Sequence, residues 1–120
     1  MAMITKTTYG NRKTILIGQD SYSITLPVKL SGTANATIKA GEPLKGDLKT
    51  RLSTEFTANT TGAVGLLLHD VTLDEKGKGN GIILVAGCVD KLKLDSTVAT
   101  NIETAKATLT NIIVTEGSAI

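Results

Sequence analysis

The sequence predicts an α+β fold that is mainly β: a small mixed β domain, a hairpin-rich sheet or partial barrel, with one C-terminal helix and an extended N-terminal arm. Three observations carry this expectation. Short β-branched and aliphatic runs recur between clusters of Gly, Pro, Asn and Asp, as strands do between turns. One stretch has helical spacing, with Leu94, Val98, Ile102, Ala105 and Leu109 three or four residues apart. The first 13 residues hold neither a period of 2 nor one of 3.6.

The 120 residues suit one core, because two domains would each have too little interior. The division expected is a flexible arm over residues 1–13 and a single β-rich domain over 14–120. With 41% apolar residues but no Trp, one Phe and two Tyr, the core must be aliphatic.

Taken in order, Met1 to Lys13 is polar and reads as a mobile arm. Thr14–Ile17 and Tyr22–Leu26 are strand-like runs separated by Gly18, Gln19 and Asp20, and Pro27 is expected to end the second. Ser31–Ala36 marks a loop and Ala36–Ala40 another strand. Gly41 to Leu44 then reads as a turn, with Gly46 and Asp47 repeating the punctuation. Lys49–Thr61, rich in hydroxyls, is expected to run along a surface.

The apolar run from Ala63 to Val71 predicts a central strand. Asp74 to Gly81 reads as a Gly-rich connector that turns at Asn80-Gly81, and Ile82–Val85 as the return strand of a β-hairpin. The helical stripe follows, with Asp95 or Ser96 as its cap and Asn111 at the left-handed position past its end. Its four threonines, at 97, 100, 104 and 108, lower its propensity, so it needs a docked face. Ile112–Val114 forms a last short strand.

Chemistry finds little purchase here. The sole histidine, His69, precedes Asp70, and neighbours on a strand point to opposite faces, so the two do not make the His–Asp half of a triad. One Cys and one His cannot supply a tetrahedral zinc set, and the acids lack calcium-loop spacing. Gly77 to Gly81 leads into a strand, whereas a phosphate cradle leads into a helix. Cys88 excludes an internal disulfide and, among Val85, Ala86 and Val89, reads as a small buried hydrophobe in a reducing compartment. No cofactor, metal or small-molecule substrate is expected, and no enzyme.

The formal charge is +2, with basic residues spread from Lys6 to Lys106, and Tyr9, Tyr22 and Phe56 are too scattered for a base-stacking surface. Nucleic-acid binding is therefore not expected. Neither a spanning run of about 20 apolar residues nor a signal-peptide pattern occurs, so a soluble, unexported protein is expected.

Three segments carry a resemblance: Ala40-Gly41-Glu42-Pro43-Leu44, Thr61 to Val71 (Thr-Gly-Ala-Val-Gly-Leu-Leu-Leu-His-Asp-Val), and Ile83 to Leu92 (Ile-Leu-Val-Ala-Gly-Cys-Val-Asp-Lys-Leu). In this order, with a helix and an Ile-Ile-Val strand behind them, they resemble the lambda-type head-decoration proteins of tailed bacteriophages over about Ala40 to Val114. The resemblance implies a structural virion protein: a homotrimer on the capsid exterior, made in the host bacterial cytoplasm. It would bind the major capsid protein at threefold positions and stabilise the expanded shell. It also implies an N-terminal arm that orders against the coat, which assigns Thr5, Lys6, Thr7, Thr8, Tyr9, Arg12 and Lys13 to capsid binding, with Thr14–Ile17 as an added strand. The competing reading is a small β-rich binding module of a phage tail or head fibre that recognises a peptide or carbohydrate. The scarcity of aromatics counts against the carbohydrate.

Overall fold

The computed structural model describes residues 23–115. Its strands are β1 (Ile24–Ser31), β2 (Thr37–Ile38), β3 (Pro43–Lys45), β4 (Glu55–Ala58), β5 (Gly65–Leu67), β6 (Val71–Thr72), β7 (Lys78–Asp90) and β8 (Ile112–Thr115). The helix α1 (Ser96–Ala105) lies between β7 and β8. The domain is mainly β with one helix near its C-terminal end, as expected. The arm over residues 1–13 and the Thr14–Ile17 run lie outside the described residues.

β1 pairs with β4, β4 with β3, β3 with β5, β5 with β7, and β7 returns to β1. Five strands thus close into a ring, the small barrel solution that leaves few edges. Two of the sheet's pairings are parallel, β1 with β4 and β7 with β8. Parallel neighbours need a long crossover, and the segment containing α1 provides it between β7 and β8. β2 and β6 form a separate small ladder, with Thr37 opposite Thr72 and their hydroxyls 2.9 Å apart.

The core is two clusters sharing one wall. Inside the ring lie Val28, Leu30, Leu44, Phe56, Leu67 and Ile83, with Ile38 and Leu73. Under α1 lie Ala63, Leu66, Leu68, Leu84, Val89, Val98, Ile102, Ala105 and Leu109. Leu67 opposite Ile83 serves the first cluster, and Leu66 opposite Leu84 the second. The β5–β7 wall is therefore buried on both faces, which is why its sequence is a nearly unbroken apolar run instead of an alternation. Space inside the ring is tight. A Cβ on Gly65 would sit 2.5 Å from the Leu84 carbonyl oxygen and 2.7 Å from Ile83 Cγ1, and one on Gly46 would strike the Phe56 ring.

Several local expectations are corrected. Pro27 does not end its run: β1 continues to Ser31. The carbonyl of Pro27 accepts from Arg51 Nη1 at 3.0 Å, on the side away from β7, and its nitrogen faces the same way, so the missing N–H costs no ladder bond. Pro43 and Leu44 begin β3 instead of completing a turn, because the reversal is made earlier, at Gly41, with φ 95°. Lys49–Thr61 does not merely run over a surface; it contains β4, whose Phe56 is fully buried.

The expected central strand is shorter than the apolar run, three residues, although its antiparallel pairing with Ile83 and Leu84 holds. The turn after it falls at Asp74–Gly77 and not at Asn80-Gly81. Asp74 Oδ1 accepts the N–H groups of Lys76 and Lys78, and Gly77 takes φ 76°. Asn80 and Gly81 are strand residues opposite Lys29 and Val28. The helix is capped by Asp95, as expected, but stops at Ala105. Leu109 still reaches the core through two tight turns, Thr108 N–H to Ala105 O and Leu109 N–H to Lys106 O. Among the described non-glycine residues only Asn35 has positive φ, so Asn111 does not hold the left-handed position.

Replacing Phe56 with Ala should lower unfolding free energy by about 3–5 kcal/mol through the cavity left in the ring. Gly65→Ala should cost about 1–3 kcal/mol by overpacking. Urea denaturation followed by circular dichroism measures both.

Candidate functional site

The acids show first what the polar side chains are for. Each of the five described aspartates accepts a backbone N–H. Asp47 takes that of Lys49, Asp70 that of Ala40, Asp90 that of Leu92 and Asp95 that of Thr97, while Asp74 holds two. A short carboxylate at the end of an extended segment reaches the amide two residues on, so four of these five close turns locally. Asp70 differs by reaching 30 residues back, at 2.7 Å. Glu55 pairs with Lys78 at 2.8 Å, and Glu42 accepts from Asn101 Nδ2 at 2.8 Å, tying α1 to the entrance of β3.

One open groove, of about 890 Å³, gathers the remaining candidates. Its walls are Lys39 and Ala40 after β2, His69 and Asp70 between β5 and β6, Val71 at the start of β6, Asn80 to Ile82 of β7, and Leu92 to Asp95 before α1. His69 and Asp70 are both here. They lie beyond the end of β5 at Leu67, so the strand alternation expected to separate them does not apply. Asp70 is set by its bond to the Ala40 amide instead. Among the described residues that line it there is no Ser, Thr or Cys. Lys39, Lys93, Asp70, Asp95, Asn80, His69 and the exposed Leu92 line a common space. Among the described residues, no three of His, Cys, Asp and Glu converge to hold a metal ion.

A second surface lies where β7 exchanges neighbours. The β1–β7 register shifts between Ile24, opposite Ala86, and Thr25, opposite Leu84. That bulge ends the pairing with β1, and at Gly87 the strand takes up β8. Ser23 lies against Gly87, where an added Cβ would come within 3.2 Å of Ser23 Cβ. The first of the described residues thus lies at this junction. Two large apolar side chains stand exposed there, Ile24 at 56% opposite Ala86 and Ile113 at 64% opposite Cys88. Cys88 is half-buried, not buried as expected, because its neighbour Val89 takes the core-facing position.

Thr5, Lys6, Thr7, Thr8, Tyr9, Arg12 and Lys13, assigned to capsid binding from the sequence, lie outside the described residues, so the structure neither gathers nor separates them. No helix among the described residues is long and apolar enough to cross a membrane. Comparison with models of known protein families gives no match, and comparison with curated proteins gives none.

Sequence reasoning missed both surfaces. The groove unites segments as distant as Lys39 and Lys93, which no local pattern links. The exposed Ile113 had a signal: in Ile112-Ile113-Val114 a strand must send one of three consecutive apolar residues to the opposite face from its neighbours.

Asp70→Ala should lower stability by about 1 kcal/mol and speed hydrogen exchange at the Ala40 amide, since one charge-assisted bond is lost at a solvated site. Asp70→Asn, which keeps an acceptor oxygen, should lose less. Chemical denaturation and amide exchange by NMR read the two effects.

Proposed function

We propose that this chain is a structural virion protein that binds the outside of a tailed-phage capsid at threefold positions and stabilises the expanded shell. One observation carries the reading. The three segments that resemble head-decoration proteins supply strands that are neighbours in the ring: Pro43 and Leu44 in β3, Gly65–Leu67 in β5 and Ile83–Asp90 in β7. α1 and β8 then follow in the expected order. A resemblance made of turns and buried strands gains weight when those parts share one wall.

The physics of the fold supports the same reading. A ring packed on both sides of one wall is a stiff block, and four of the five described aspartates close backbone turns. Such a block presents surfaces. Three copies around a threefold axis would each offer a weak contact to a different coat subunit, and simultaneous engagement makes release slow without any single strong contact. Attachment to the expanded shell alone would stabilise that shell by mass action, by about 2.7 kcal/mol per site at a free concentration about 100 times Kd. In this proposal Thr5 to Lys13 contacts the major capsid protein, and no enzymatic step is involved.

The test is co-sedimentation of the purified protein with expanded and unexpanded tailed-phage heads. Binding to expanded heads only is expected, as is its loss on deleting Met1–Lys13 with unfolding free energy changed by less than about 0.5 kcal/mol. Binding to neither form refutes the decoration reading and leaves the groove around His69 and Lys93 as the working surface of an appendage module. Light scattering of the free protein reports whether the trimer precedes attachment.

A further inference from the structure

Asn80-Gly81 is the one Asn-Gly pair in the sequence, and it lies inside β7 instead of at a turn. In such a pair the backbone nitrogen of the glycine, with no side chain crowding it, can attack the carboxamide carbon of the asparagine. A bond from Gly81 N to Asn80 Cγ forms, the carboxamide nitrogen leaves as ammonia with the proton that Gly81 N gives up, and a cyclic imide remains. Water then opens the imide at either carbonyl, its hydroxyl going to carbon and its other hydrogen to nitrogen. One product is aspartate. The other is isoaspartate, whose main chain runs through Cβ and Cγ and is one atom longer.

Packing requires the glycine. A Cβ on Gly81 would sit 2.9 Å from Leu30 Cδ1 and 3.0 Å from Leu67 Cδ1, both side chains that fill the ring. Asn80 is exposed, so its carboxamide stands open to water. Protection therefore has to come from the backbone, and the ladder supplies it. Gly32 N–H donates to Gly77 O at 2.8 Å, whereas the Pro27 carbonyl turns away from β7 to Arg51. Bonded and non-bonded pairs alternate along antiparallel strands, so Val28 and Gly81, which lie opposite, exchange both of their bonds. Gly81 N–H is thus donated to Val28 O. Extended backbone at Asn80 also turns that nitrogen out of the near-eclipsed position beside Cβ that ring closure needs.

We propose that Asn80-Gly81 is a self-modification site gated by the β1–β7 ladder. The closed ring withholds it; opening of the ladder frees the Gly81 nitrogen, and conversion follows. Isoaspartate makes the step one-way, because the extra main-chain atom keeps Lys78–Gly79 and Ile82–Ile83 from both holding their register with β1. The chemistry is slow beside opening and closing, so its rate tracks the population of the open ladder. The inference rests on the β1–β7 register and stands apart from the decoration reading.

The full chain is incubated at neutral pH, folded and in urea, beside Gly65→Ala and Phe56→Ala without urea, and peptide mapping measures isoaspartate formed from Asn80. Conversion in the folded protein should be at least tenfold slower than in urea, with the two variants between, in the order of their measured unfolding free energies. A variant that fails to fold should match the urea rate. After dilution from urea, chains carrying isoaspartate should stay unfolded, while unconverted chains and Asn80→Asp regain the native circular dichroism. Equal rates in folded protein and urea, variants whose rates break the order of stability, or refolding of the isoaspartate chains overturns the proposal.

Discussion

The β5–β7 pair has no face turned to water: one side fills the ring with Leu67 and Ile83, and the other seats α1 on Leu66 and Leu84. Every other element is placed by that requirement. β1, β3 and β4 curl round to enclose one side, and the crossover from β7 to β8 has to lay a helix over the other. Because the chain has so few aromatics, this double coverage substitutes for large side chains. Aliphatic residues of modest size reach full burial only if they are stacked in more than one layer. Phe56 is the exception, and the ring is built around its volume, down to a glycine at position 46.

What the sequence made legible was the part governed by short-range pattern. The stripe Val98, Ile102, Ala105 named the buried face of α1, its cap was narrowed to Asp95 or Ser96, of which the fold uses Asp95, and the apolar runs at Leu66 and Ile83 named the central pairing. What escaped was governed by distant partners. Pro27 stops a strand only if its nitrogen is needed for a bond, and the place of Arg51 decides that. Asn80-Gly81 is a good turn pair in isolation. It became strand because Lys29 and Val28 lie opposite, while Asp74 had already closed the turn with its own carboxylate. The groove residues were invisible for the same reason, since Lys39, His69, Asn80 and Lys93 meet only once the ring is closed.

The aspartates show how such a chain economises on polar groups. In a fold of short strands, reversals are frequent, and each leaves backbone N–H groups without ladder partners. Asp47, Asp74, Asp90 and Asp95 meet that need within two to four residues of themselves, and Asp90 does so while buried. Acids used in this way hold the loops between the strands in place.

Closure of the ring also sets an order of events during synthesis. β1 finds its long partner only when β7 exists, and pairs such as Ile24 with Ala86 and Ser31 with Lys78 lie about 50 to 60 residues apart. Until then Val28 and Leu30 have no complete cavity to enter. A nascent chain emerging from the ribosome must carry β1 without its β7 partner until the segment through Ala86 is out, so closure of the ring waits on β7.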